Sequence, residues 1–207
     1  APSAVPGAFS PPSSPSSSLN TASPEKPGTI IISTKERALY QVMPDGRAMR
    51  YLVAVGKEGF SWSGTARVGM KRENPKWTPP PEMIERKPEL AKWEKGQPGG
   101  LENPLGARAL YLTTNGIDYG YRIHGTPEWD SIGKNASSGC IRMINQDVMD
   151  LYSRVQDGAK VVVLNADGSY PQGLNLPPSG VVMVCTTNKF CVSRSSGARL
   201  PSVMNSC

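Results

Sequence analysis

Apolar residues fall in short stretches separated by turn-forming residues, a pattern that predicts strands more often than helices. Residues 29–33 and 37–43 read as strands. Pro44-Asp45-Gly46-Arg47 is turn chemistry, and 48–55 returns as a partner strand. Strand signals resume at 109–113. There Asn115-Gly116, the strongest hairpin signal in the chain, hands over to a strand at 117–123. One segment changes period. From Asn145 the residues Val148, Leu151, Tyr152 and Val155 recur on one helical face, with Asp147 and Asp150 in its first turns and Gly158 closing it. A last strand is expected at 159–164.

Between these blocks, residues 71–106 have another character. Trp77-Thr78-Pro79-Pro80-Pro81 interrupts any sheet, and 82–93 holds one or two short helices broken near Pro88. Gly96-Gln97-Pro98-Gly99-Gly100 follows as a loop. A Pro-rich insertion of this length in a compact domain reads as a lid or groove wall. Residues 1–28, rich in Ser, Pro, Ala and Gly, read as a flexible, disordered leader. Residues 166–207 read as a small accessory extension. The expected organisation is a leader at 1–28, a catalytic-sized domain at 29–165 and the extension beyond it.

Composition narrows the class. The chain has 207 residues, 38% of them hydrophobic, with 21 Gly and 20 Pro, which suits a turn-rich, mainly β domain. A net charge of +6 suits an anionic neighbourhood such as a nucleic acid or an envelope polymer. Without basic runs interleaved with aromatics, or zinc-finger spacing, nucleic acid is the weaker partner. The longest apolar stretches, Ile30-Ile31-Ile32, residues 51–55 and residues 181–185, are far too short for a transmembrane segment. Four cysteines stand at 140, 185, 191 and 207. Cys185 and Cys191 would close a hairpin loop if bridged, which implies an oxidising compartment, although the connectivity stays open and buried thiols are the alternative.

The candidate chemistry centres on His124, the one histidine, sixteen positions before Cys140. A thiol with an ordinary pKa of about 8.5 needs a base or a positive neighbour to act as a nucleophile near neutrality. Any imidazole activating Cys140 is therefore His124. Gly139 allows close backbone approach, the Gly139 and Cys140 amides are candidate oxyanion donors, and Arg142 is placed to hold a carboxylate. The bland alternative is a buried cysteine, a satisfied strand-end histidine and a surface arginine. The four tryptophans, at 62, 77, 93 and 129, read as packing residues. No metal-ligand set, paired carboxylates or phosphate-binding loop points to a cofactor.

Residues 28–165 also resemble the catalytic domain of bacterial L,D-transpeptidases, which crosslink peptidoglycan. The resemblance rests on His124 followed by Ser137-Ser138-Gly139-Cys140-Ile141-Arg142. It extends to Asn103-Pro104-Leu105-Gly106, to Tyr121-Arg122-Ile123-His124-Gly125-Thr126 and to residues 145–152. The family has a second histidine just before Gly-Cys, where this chain has Ser138. The resemblance implies a β-sandwich or barrel-like domain with one or two short helices, located in the periplasm or cell envelope. It implies Cys140 as nucleophile, His124 as base, and the Gly125 carbonyl orienting the imidazole. Arg142, Ser138, Tyr121 and Ser137 would bind substrate. Peptidoglycan stem peptides are the implied substrates, with a second stem or a wall-anchored envelope protein as acceptor. Two rivals remain: another cysteine acyltransferase or peptidase of sortase type, and a non-catalytic wall-binding module. A His–Cys dyad is further expected to show an ionisation near neutral pH.

Overall fold

A computed structural model describes residues 17–20, 24–177, 182–185 and 191–194. Its strands are β1 (Ser17–Asn20), β2 (Ile30–Ser33), β3 (Ala38–Val42), β4 (Arg47–Leu52), β5 (Val55–Gly56), β6 (Gly64–Glu73), β7 (Arg108–Thr114) and β8 (Ile117–His124). They are followed by β9 (Asn135–Ser137), β10 (Ile141–Arg142), β11 (Lys160–Val163), β12 (Val182–Cys185) and β13 (Cys191–Arg194). The helices are α1 (Pro81–Arg86) and α2 (Asn145–Arg154), with single 3₁₀ segments at Pro88–Trp93 and Trp129–Ser131. The protein is mainly β, as the alternation of its sequence predicts.

One sheet runs in the order β1-β4-β3-β2-β11-β6-β7-β8-β12-β13. β10 joins it on β8 in parallel, and β5 and β9 form a separate parallel pair. Strands β2, β3, β6, β7 and β11 bury Ile30, Ile32, Leu39, Ala66, Val68, Leu110, Leu112, Val161 and Val163 in one continuous core. Helix α2 closes that core with Val148 and Leu151, both fully buried. Its spacing of apolar residues forms the stripe such a helix must turn inward. The helix ends at Arg154, earlier than Gly158, which lies in the turn leading to β11.

The Asn115-Gly116 turn links β7 to β8 with positive φ at both residues, 52° and 76°, as a type I′ hairpin requires. The 71–106 insertion breaks as its prolines demand: α1 starts on Pro81 and the 3₁₀ segment on Pro88. The fully buried Asn103 ties the insertion down. Its amide donates to the carbonyls of Pro75 and Pro98 at 3.0 Å each, and its Oδ1 accepts from the Leu105 N–H at 2.9 Å.

The leader departs from expectation in one stretch. Ser17–Asn20 pairs antiparallel with β4, in register from Ser17 with Arg50 to Asn20 with Arg47. Without it, β4 would be an edge strand with unsatisfied backbone groups, a template for an added strand. In the C-terminal extension, β12 and β13 place Cys185 opposite Cys191, as a closed hairpin loop needs, and β12 adds to β8 at Asp118. The cysteine side chains of this hairpin lie outside the described residues.

Candidate active site

β8 delivers His124 at its C-terminal end, and β10 runs parallel beside it with Arg142 opposite His124 and Ile141 opposite Ile123. Cys140 is therefore the residue just before this short pairing. The Met143 N–H donates to the His124 carbonyl and the Arg142 N–H to the Ala54 carbonyl, so the segment carrying Cys140 is held from both sides. Asn145 braces the site from α2. Its Oδ1 accepts from the Ala107 N–H at 2.9 Å, so close to Gly106 and Gly125 that a Cβ at either would collide with it.

The imidazole of His124 is fully buried. Its Nδ1 lies 2.5 Å from the Gly125 carbonyl, and a carbonyl only accepts, so Nδ1 carries the proton and Nε2 is left with its lone pair. Nε2 has no hydrogen-bond partner among the described residues. Burial pushes the ring's pKa down to about 3, opposed by the Gly125 hydrogen bond and reinforced by the positive charges of Arg142 and Arg122. The ring is neutral at physiological pH, so the ionisation near neutrality expected from the sequence does not belong to this imidazole alone.

Cys140 is 2% exposed, and its Sγ lies 3.6 Å from the Gly120 carbonyl oxygen. Here the structure corrects the sequence reading of a free thiol: Cys140 is disulfide-bonded. The other sulfur lies outside the described residues. A bridged sulfur has no proton to give to a base.

The turn before the sulfur is tightly organised. Ser137 Oγ accepts from the Gly139 N–H at 3.1 Å and donates to the Cys140 carbonyl at 2.5 Å. The Gly139 amide, one of the two candidate oxyanion donors, is thus already used. Ser137 is 1% exposed and closes the turn. Ser138, at the family's second-histidine position, is half-buried. Tyr121 is only 3% exposed, its ring stacked on Trp62 with centroids 4.4 Å apart and planes 13° from parallel. Tyr121 therefore supports the turn, where the sequence suggested a substrate contact. Gly139 itself has φ +113°, and a Cβ there would meet Tyr121 Cε1 at 2.7 Å and the Phe60 carbonyl at 3.0 Å. Only glycine fits.

Arg142 lies at the edge, its guanidinium 2.8 Å from Glu128 Oε2 and its buried Nε without a partner among the described residues. Glu128 is largely exposed, so a competing carboxylate has access to the same cation. Of the tryptophans, Trp62 and Trp77 are buried, whereas Trp129 is half-exposed on its 3₁₀ turn and packs in no core. Trp62 and Asn145 are the site-building residues that sequence reasoning missed. Trp62 left no local signal, being 77 positions from the carbonyl it bonds.

A strand-end histidine with its Nδ1 locked stands beside a short strand that a cysteine in a glycine-tight turn leads into, and the sequence comparisons say which family carries this arrangement. The YkuD L,D-transpeptidase catalytic domain matches residues 27–163, and the chain belongs to that family. The probable L,D-transpeptidase YcfS of Escherichia coli is 33% identical over 172 residues, 80% of this chain and 52% of that protein. A putative L,D-transpeptidase of Fuscovulum blasticum is 36% identical over 138 residues, 65% of this chain and 68% of that protein. The chain spans about half the length of the E. coli relatives YcfS and ErfK/SrfK. Among solved structures, a Brucella melitensis protein described as a probable carnitine operon oxidoreductase is 47% identical. It aligns over 75% of this chain and 96% of that chain, with a TM-score of 0.51. Its redox description stays with that protein, because the family match covers every residue of the site described above.

Proposed function

We propose that the protein is an L,D-transpeptidase that crosslinks peptidoglycan through a thioester on Cys140. The observation that carries this reading is the His124 ring: buried, neutral, fixed by Gly125 in the tautomer whose Nε2 accepts a proton, and belonging to a chain of this family. A dithiol reductant must first cleave the Cys140 disulfide by thiol–disulfide exchange, leaving the reductant oxidised and Cys140 as a thiol. Its sulfur then attacks the carbonyl of the third residue of a donor stem tetrapeptide while Nε2 takes the thiol proton. The oxyanion is met by the Cys140 amide. As the intermediate collapses, the imidazolium returns that proton to the departing amine, releasing D-alanine and leaving a Cys140 thioester. An acceptor amine attacks the thioester, gives its proton to Nε2, and the thiolate leaves. The acceptor is a second stem or a wall-anchored protein.

Arg142 would hold an acidic group of the stem in place of Glu128, and Ser138 would add a hydroxyl. A disulfide at Cys140 suits the periplasm or another oxidising envelope compartment. No helix among the described residues is long and apolar enough to cross a membrane. D-alanine release from a defined stem tetrapeptide tests the proposal. Release is expected after treatment with dithiothreitol, is expected to be absent before it, and is expected to be lost in Cys140→Ala and His124→Ala. Absence of release from the reduced protein contradicts the proposal and favours a wall-binding role.

A further inference from the structure

The peptide joining Gly139 to Cys140 is trans and planar, so its carbonyl and its N–H point in opposite directions. Whatever holds the Gly139 carbonyl therefore also aims the Cys140 N–H. That carbonyl accepts a buried hydrogen bond from the indole Nε1 of Trp62 at 3.1 Å. The indole is itself held: it is 4% exposed and lies flat on the ring of Tyr121, which also blocks the space beside Gly139. Glycine at a positive φ is the residue most able to let its peptide rotate. At this turn Ser137 Oγ holds the peptides on either side, through the Gly139 N–H and the Cys140 carbonyl, and Trp62 holds the plane between them.

We propose that Trp62 is a positioning residue for acyl transfer: by bonding the Gly139 carbonyl, it turns the Cys140 amide toward the place where an oxyanion forms. This inference rests on the reading of Cys140 as the acyl-carrying nucleophile and adds the residue that sets its oxyanion donor. The bond that Trp62 makes goes to the Gly139 carbonyl and not to the sulfur. It acts through one peptide plane. Removing the indole N–H leaves the carbonyl free to rotate, and the amide then loses its aim while the thiol and imidazole stay in place. The cost should fall on reactions that pass through a tetrahedral oxyanion and spare those that do not.

The test compares two reactions of the reduced full chain. Acylation of Cys140 by p-nitrophenyl acetate develops an oxyanion, and alkylation by iodoacetamide does not. Neither needs a stem peptide, so the result stands apart from whether the wild-type protein releases D-alanine. Trp62→Phe keeps an aromatic ring on Tyr121 and removes the donor. Its acylation rate is expected to fall about 10- to 100-fold, less than the roughly 100- to 1000-fold cost of removing an oxyanion donor outright, while alkylation changes less than about 2-fold. Trp62→3-benzothienylalanine preserves the bicyclic shape and replaces the N–H by sulfur, so a failure of the phenylalanine variant to fold leaves the test intact. Equal losses in both reactions would mark Trp62 as a packing residue only. No loss in either would show that the indole bond does not aim the amide, and either outcome overturns the proposal.

Discussion

His124 shows how burial selects a mechanism. Its Nδ1 proton is committed to Gly125, and its environment disfavours the imidazolium, so on the proposed reading reduction of Cys140 would set a thiol against a neutral imidazole instead of forming an ion pair. Papain-like sites that stabilise a thiolate alkylate readily in acid. Here iodoacetamide alkylation of the reduced protein is expected to be slow at pH 5–6 and to rise toward the pH range of an ordinary thiol, about 8.5. A plateau of fast alkylation extending below pH 6 would show a stable thiolate–imidazolium pair and contradict this assignment. The same burial has a thermodynamic consequence. The native pKa lies near 3 and the unfolded one near 6.5, so the unfolded chain binds the extra proton between those values, and His124 withdraws stability as pH falls through that window.

At the scale of the element, α2 contains an opposing titration. Asp147 sits buried in the first turn with its Oδ2 unpartnered among the described residues. Desolvation, and then the neighbouring Asp150, raises its pKa to about 6. A raised carboxyl pKa means that the native state holds a proton the unfolded chain has already lost. Its contribution is favourable at low pH and disappears as pH rises through about 6, opposite in sign to that of His124. Asp147→Asn is therefore expected to raise stability at pH 7–8 by about 1–2 kcal/mol and to steepen the acid-side loss, as read by urea denaturation at a series of pH values. An unchanged or lowered stability at pH 8 would show that the carboxylate is solvated or paired.

The elements also show what the sequence reveals and what it hides. The β7–β8 hairpin was legible because Asn115-Gly116 permits one turn type and the flanking strands alternate, and α2 because its stripe has the helical period. The parallel seat of β10 on β8 was not legible. A two-residue strand has no periodicity, and its position comes from backbone bonds to Ala54 and His124. The pairing of Ser17–Asn20 was hidden for a related reason, since a short Ser-rich segment carries no strand signal in its sequence and its place follows from the backbone of β4. Trp62 and Asn145 acquire roles only through contacts far along the chain. The resemblance named His124 and Cys140 as a pair, and the fold sets His124 at the end of β8 and Cys140 just before β10, the strand paired beside it.

For the whole molecule, the disulfide at Cys140 matters most. The proposed nucleophile is covered and bonded, its base lacks a partner, and the carboxylate of Glu128 occupies Arg142. Each of these describes a resting state that reduction and a stem peptide would reverse. The measurement that bears most directly on the account is the intact mass of the chain after exposure to a carbapenem, whose strained amide acylates a competent thiol. After reduction with dithiothreitol, the account predicts a single adduct of one drug mass, localised to Cys140 and absent from Cys140→Ala. A reduced protein that stays unmodified, or an adduct that persists in Cys140→Ala, would contradict it.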